Sequence, residues 1–148
     1  MKNVIIAATA ALALAGCANN SSSGGSNYAS APAASSKASK TLTTARGSFV
    51  GDGKFTVTGT TEVFRENGQW FIKLGPGFSE SGAPDPKVAL GNKGRGGYVP
   101  GTILGLIQAN GESVYALKPG LDIGDYDQVW IWCERFNVPI GHANLTLL

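Results

Sequence analysis

Cysteine, histidine and methionine are scarce in this sequence of 148 residues, which contains two cysteines, one histidine and one methionine. These numbers are too small for a zinc finger or a disulfide-stabilised scaffold. Charge is also scarce, since charged residues make up 15% of the chain and the net charge is +2. We therefore expect no nucleic-acid partner, because nucleic-acid-binding domains carry a strongly basic surface. No apolar run reaches about 20 residues, the length that a permanent transmembrane helix needs.

The first 16 residues have the layout of a cleaved secretory signal. Lys2 supplies the positive charge, and Val4–Ala15 is a short apolar stretch that ends in small residues. Its end, Leu14-Ala15-Gly16-Cys17, resembles the lipobox of bacterial lipoproteins, in which the peptidase cuts before the cysteine. The resemblance implies that Cys17 carries a diacylglycerol and usually a further fatty acid such as palmitate. Two or three acyl chains would hold the protein stably on a membrane. The alternative is a plain cleaved signal with an incidental cysteine.

The signal and the lipobox-like Cys17 together predict a lipid-anchored protein of the cell envelope, with its domain outside the cytoplasm. Ala18 stands where an aspartate often retains Gram-negative lipoproteins at the inner membrane, so the outer membrane is favoured in such a cell. Residues 17–45 comprise the lipidated cysteine and a linker rich in Ser and Ala, which we predict to be disordered. As a coil, the 28 residues after Cys17 would span about 30 Å.

Residues 46–148 are predicted to form one all-β domain, either an antiparallel β-sandwich or a barrel-like sheet. They contain every tryptophan and phenylalanine, and their short alternating segments are interrupted by Gly and Pro. Asn67-Gly68 predicts one tight hairpin, and Asn110-Gly111 predicts another. The predicted strands are Lys54–Thr58, Thr60–Glu66, Gln69–Leu74, Lys87–Leu90, Thr102–Gln108, Val114–Lys118, Gln128–Cys133 and Asn144–Leu148.

The C-terminal segment is similar to the closing motif of the electron-transfer DM-thirteen domain. An apolar strand ends in Ile131-Trp132-Cys133, Phe136 follows, and Gly141-His142-Ala143-Asn144-Leu145 completes the motif. Gly47-Ser48-Phe49 and Pro84-Asp85 agree in order upstream, whereas Pro86 and Ala89 depart from the family pattern. The resemblance covers about residues 46–148. It implies a β-rich module outside the cytoplasm, of a kind found beside haem-binding and cytochrome-type domains, in which Cys133 takes part in redox chemistry.

Cys133 is therefore the candidate redox thiol, and a buried, inert cysteine is the alternative. Strand alternation places Val129, Ile131 and Cys133 on one face, and Trp130 and Trp132 on the other. Both faces are apolar, which predicts a central strand covered on both sides. Because Cys133 ends its strand, it could also sit at an opening.

Four residues near Cys133 are candidate supporting groups: Trp132, Arg135, Phe136 and His142. Arg135 could favour a thiolate. His142 could act as a base if a returning strand brought it within hydrogen-bond reach of the thiol. The sequence around His142, however, is typical of a turn that leaves the ring in solvent.

The residue inventory disfavours a self-contained electron carrier. A dithiol couple needs two thiols and a blue-copper site needs two histidines, whereas the mature chain has Cys133 and His142 alone. We therefore predict no metal site and no cofactor held by this chain alone. The preferred function is an accessory redox or electron-transfer module acting through Cys133 with a haem-containing or other redox partner of the envelope. The alternative is a non-catalytic binding or structural module; an independent enzyme is disfavoured because no complete catalytic set is visible.

Overall fold

Eleven short β-strands make up the domain in a computed structural model that describes residues 42–148. The predicted signal, Cys17 and most of the predicted linker lie outside the described residues. No helix within residues 42–148 is long and apolar enough to cross a membrane. The described part contains a single 3-10 turn at Ile123–Asp125 and no α-helix. The strands are β1 (Leu42–Gly51), β2 (Val57–Thr58), β3 (Thr60–Glu66), β4 (Gln69–Leu74), β5 (Ser79–Glu80), β6 (Pro86–Gly91), β7 (Gly105–Leu106), β8 (Ser113–Ala116), β9 (Gln128–Cys133), β10 (Val138–Asn144) and β11 (Thr146–Leu147).

The main sheet is antiparallel and curls until its two edges nearly meet, which confirms the all-β, barrel-like prediction. Its order is β7-β6-β9-β10-β1-β3-β4-β8, with β11 also paired to β1. At the two edges, the Tyr115 hydroxyl of β8 donates to the Leu106 carbonyl of β7 at 3.3 Å. A Cβ on Gly105 would lie 3.1 Å from the Tyr115 ring, so glycine permits this close approach. Strands β2 and β5 pair with each other in a separate two-stranded sheet, and Val57 of β2 packs into the core of the main sheet.

One of the two predicted hairpins is confirmed and the other is wrong. Asn67 and Gly68 join β3 to β4 with φ angles of 50° and 85°, the positive values that a type I′ turn requires. Asn110-Gly111 does not form a hairpin, because β7 pairs with β6 whereas β8 pairs with β4. The segment instead connects β7 at one edge of the sheet to β8 at the other, and the Gly111 amide donates to the Phe78 carbonyl at 2.8 Å.

Several strand limits also differ from the prediction. Strand β1, Leu42–Gly51, was not predicted; it begins inside the segment assigned to the linker, and Ala45 is buried there. Only Val57–Thr58 of the predicted strand 54–58 is extended, and only Gly105–Leu106 of 102–108. The predicted last strand is divided between the end of β10 and the short β11. Most of β10 was not predicted.

The core lies on both faces of β9, as the apolar alternation of that strand predicts. The inner face, which includes Val129, Ile131 and Cys133, packs into the interior of the barrel-like sheet. On the outer face, Trp130 and Trp132 pack with three more apolar residues: Ala89, Tyr98 and Ile103. Burying each large apolar side chain contributes about 1.5–3 kcal/mol. These two layers therefore hold β9 in place and fix the position of Cys133.

Candidate functional site

Cys133 lies in the interior of the barrel, with 1% of its surface exposed. It is the last residue of β9, where its backbone is opposite Val138 of β10 and Pro86 of β6. Its side chain belongs to the apolar inner core and not to an opening in the sheet. The next four residues of the chain are all exposed, so the buried thiol stands directly before an exposed turn.

That turn, Glu134–Asn137, joins β9 to β10 and is called here the β9–β10 turn. It is closed by a 3.3 Å hydrogen bond from the Asn137 amide to the Glu134 carbonyl. Asn137 has a φ of 52°, a left-handed conformation that asparagine tolerates better than most residues. Its Oδ1 accepts a 3.2 Å hydrogen bond from Trp132 Nε1. The turn is thus tied to the outer aromatic layer.

An ionic cluster holds the β9–β10 turn against the start of β6. Lys87 Nζ lies 2.9 Å from an Asp85 carboxylate oxygen and 3.6 Å from a Glu134 oxygen; we call these three residues the Lys87 clamp. The Glu134 amide also donates to the Asp85 carbonyl at 3.2 Å. The pKa of Lys87 is raised above its ordinary value of 10.5, mainly by the hydrogen bond to Asp85. The sequence analysis did not identify Lys87, although it stands three residues after the Pro84 of the upstream motif.

Arg135 and Phe136 form the exposed tip of the turn. The Phe136 side chain is 62% exposed, and the Arg135 guanidinium carbon lies 5.6 Å from its ring centroid. The guanidinium therefore contacts an exposed ring, whereas the Cys133 thiol points among apolar side chains. This arrangement does not provide the thiolate-stabilising contact that the sequence suggested for Arg135.

His142 lies within β10, and the prediction of a turn with a solvated ring is wrong. It is opposite Trp130 in the register, and the two rings stack with centroids 4.7 Å apart. The stack lies on the outer face of the sheet, whereas Cys133 lies on the inner face. A Cys133–His142 catalytic pair is therefore not formed. His142 Nδ1 is buried and has no hydrogen-bond partner among residues 42–148.

Trp132 contributes to an aromatic layer on the outer face of β9. Its ring centroid lies 5.0 Å from that of Tyr98 and 6.2 Å from that of Trp130. Trp130 Nε1 donates to Gln128 Oε1 at 3.1 Å, so this buried indole is satisfied. The sequence analysis placed both tryptophans in the core correctly but did not foresee Tyr98, which a glycine-rich loop brings over them.

No cluster of three or more His, Cys, Asp or Glu side chains that could hold a metal occurs within the described range 42–148. Comparison with known proteins gives one family match. The model of the family described as Electron transfer DM13 matches residues 48–145, which run from within β1 to the residue before β11. No curated protein and no solved structure matches the chain.

Proposed function

Because the chain belongs to the electron transfer DM13 family, we propose that it is an accessory electron-transfer module of the cell envelope. In this proposal, acyl chains on Cys17 hold it to the membrane and Cys133 is its redox group. The lipobox-like Leu14–Cys17 supports the first point. The Ile131-Trp132-Cys133 motif, which lies inside the matched range, supports the second.

The redox step we propose is thiol–disulfide exchange with a partner protein that carries a disulfide. The Cys133 thiolate attacks one partner sulfur, the partner S–S bond breaks, and a mixed disulfide forms. The electron pair of the broken S–S bond stays on the partner sulfur that leaves. That sulfur takes up the proton that Cys133 lost, so the step is balanced. Resolution requires a thiol from a second protein, because Cys133 is the only free thiol of the mature chain.

One observation carries this proposal: the buried thiol stands directly before an exposed turn held by few contacts. The β9–β10 turn is closed by one internal backbone hydrogen bond and is held to its surroundings by the backbone bond from Glu134 to Asp85, the bond from Trp132 and the Lys87 clamp. Opening the turn would bring Cys133 to the surface while the rest of the sheet stays paired. Local openings of this kind need less free energy than global unfolding.

A second candidate function is supported by the burial of Cys133. With 1% exposure among inner-core side chains, the thiol fits the role of a small apolar core residue. In that case the domain is a binding or structural module of the envelope, and its cysteine takes no part in chemistry.

Alkylation of Cys133 distinguishes the two candidates. We would measure its rate by mass spectrometry in a chain that begins at Ala18, where Cys133 is the only thiol. If the turn opens, native labelling will be slower than in denaturant but faster than global unfolding measured by pulse proteolysis. The variant Lys87→Met should accelerate native labelling about two- to fivefold, the effect of losing a modest ion pair. An aromatic disulfide added in place of the alkylating reagent should then form a mixed disulfide.

Two control variants make the result specific. Lys73→Met removes a similar ion pair, 2.7 Å from Glu112, on the β4–β8 side of the sheet and should leave the labelling rate unchanged. Cys133→Ala should form no adduct; alanine is preferred to serine because an unpaired buried hydroxyl costs about 1–3 kcal/mol. Labelling at the global unfolding rate in all lysine variants would reject the redox proposal and favour the structural module.

A further inference from the structure

Three of the most exposed apolar side chains lie at one end of the sheet, beside the point where the chain enters the domain. Leu42 is 53% exposed, Leu147 is 82% exposed and Leu148 is 71% exposed; we call them the leucine patch. The pairing places all three at the same end of β1, since Ala45 is opposite Leu147 and the Leu148 amide donates to the carbonyl of Thr44, two residues from Leu42, at 3.0 Å. Apolar groups clustered in this way on a protein surface mark an interaction site.

The surroundings of the leucine patch are also apolar. Leu147 also lines a cavity of about 240 Å³, whose other apolar walls are Ala45, Ile123 and Leu145 and whose one acidic lining residue is Asp127. On the other side of β1, Leu42 is opposite Arg65, whose guanidinium carbon lies 5.3 Å from the Trp70 ring centroid. Leucine beside tryptophan and arginine is the combination of residue types that membrane–water interfaces favour.

We infer that the leucine patch rests on the surface of the lipid bilayer that carries the acyl chains of Cys17. This inference depends on the proposed lipidation. Between Cys17 and Leu42 there are 24 residues, which in any conformation span at most about 80 Å. Because the chain enters the domain at Leu42, an anchor at Cys17 holds this end of the domain near the membrane at a high local concentration, so even weak apolar contacts are occupied.

The charges nearby indicate which kind of lipid contact is involved. Asp127 lines the cavity, and Asp122 and Asp125 lie in the loop that borders it. These acids outnumber Arg65, so an anionic surface would not be attracted to this end of the domain. The contact is therefore apolar and should not depend on anionic lipid, in contrast to the binding of a polybasic segment.

This orientation turns the Cys133 end of the domain away from the membrane. The cavity end adjoins the start of β9, because the Leu145 amide donates to the Asp127 carbonyl at 2.8 Å. Cys133 is the opposite end of that strand, about 17 Å away along the chain. The exposed Phe136 beside it would then point into the envelope space, where a redox partner could reach the β9–β10 turn.

Spin labels on the lipidated mature protein test this orientation. We would place a nitroxide at Leu148→Cys or at Phe136→Cys in a Cys133→Ala background and attach the protein to vesicles of phosphatidylethanolamine, with or without phosphatidylglycerol. Collision rates with oxygen, which is enriched in lipid, and with an aqueous nickel complex report the surroundings of each label. We expect a several-fold higher oxygen-to-nickel ratio at position 148 than at 136, with either lipid composition. Leu42→Ser with Leu147→Ser should abolish the difference, whereas the matched Leu106→Ser at the other end should not.

Each outcome either supports or overturns the inference. Equal aqueous access at both labels, in protein that floats with the vesicles, would overturn it while leaving the lipid anchor intact. Protection of position 148 without vesicles, accompanied by dipolar broadening, would mean that a second copy covers the patch. Failure to float would reject the lipid anchor and the membrane-facing orientation with it.

Discussion

Gly141 lies in β10 at a position where the structure leaves no room for a side chain. A Cβ at this position would lie 2.5 Å from the Val50 carbonyl oxygen and 2.7 Å from Val57 Cγ2. Gly141→Ala should therefore force β10 away from β1 and lower the free energy of unfolding by about 1–3 kcal/mol, as overpacked sites do. Urea unfolding followed by tryptophan fluorescence measures this change.

Gly77 provides the matched control for that substitution. No atom lies within 4 Å of the place where its Cβ would be, so Gly77→Ala should change stability little. If both variants unfolded at the same urea concentration, the tight approach of β10 to β1 would be contradicted.

The sequence predicted the face on which a side chain lies where alternation along one strand determines it. It predicted the contacts of a side chain poorly where those contacts come from a neighbouring strand. Alternation along β9 separated Cys133 from Trp132 correctly, because it is a property of the strand itself. The surroundings of His142 depend on Trp130 from another strand, and those of Arg135 depend on the exposed Phe136 ring. The motif gave the order of these residues along the chain but not their contacts.

At the scale of elements, the Lys87 clamp makes the β9–β10 turn sensitive to high pH. The folded-state pKa of Lys87 is raised above 10.5, chiefly by its hydrogen bond to Asp85. A raised lysine pKa contributes stability that is fully present below the unfolded value of 10.5 and is lost as pH rises through the folded value. Urea midpoints of the native protein and of Lys87→Met should therefore differ at neutral pH and converge well above 10.5. A gap that stayed constant with pH would show that the ion pair does not stabilise the turn.

The missed strand β10 and the overpredicted strand at 102–108 have a common physical cause. Strand β10 contains Pro139 and Gly141, which usually interrupt a strand, but a bulge between them restores the pairing with β9. Conversely, the alternating segment 102–108 is extended only at Gly105–Leu106, because Thr102 bonds to Leu90 and Val99 and holds a turn there. Both outcomes depend on partners far along the chain, which local periodicity does not record.

At the scale of the whole molecule, the many short segments and the absence of helical periodicity were enough to predict the all-β fold class. They did not predict the order of the strands in the sheet. Strand β1 pairs with β3 on one side and is shared between β10 and β11 on the other. Such sharing lets the sheet curl toward closure and brings the chain entry beside Leu147 and Leu148. The barrel-like shape thereby separates two ends, one carrying the leucine patch and the other the β9–β10 turn.

The start of β1 tests this account of the whole domain, because it lies before the predicted boundary at residue 46. Ala45 is buried opposite Val63 and Leu147, and the Thr44 carbonyl accepts the Leu148 amide. A chain beginning at Arg46 should lose these contacts and unfold with about 2–4 kcal/mol less free energy than one beginning at Leu42. Urea unfolding of the two purified chains gives the difference. Equal stability would mean that residues 42–45 belong energetically to the linker, and that β11 holds its place without them.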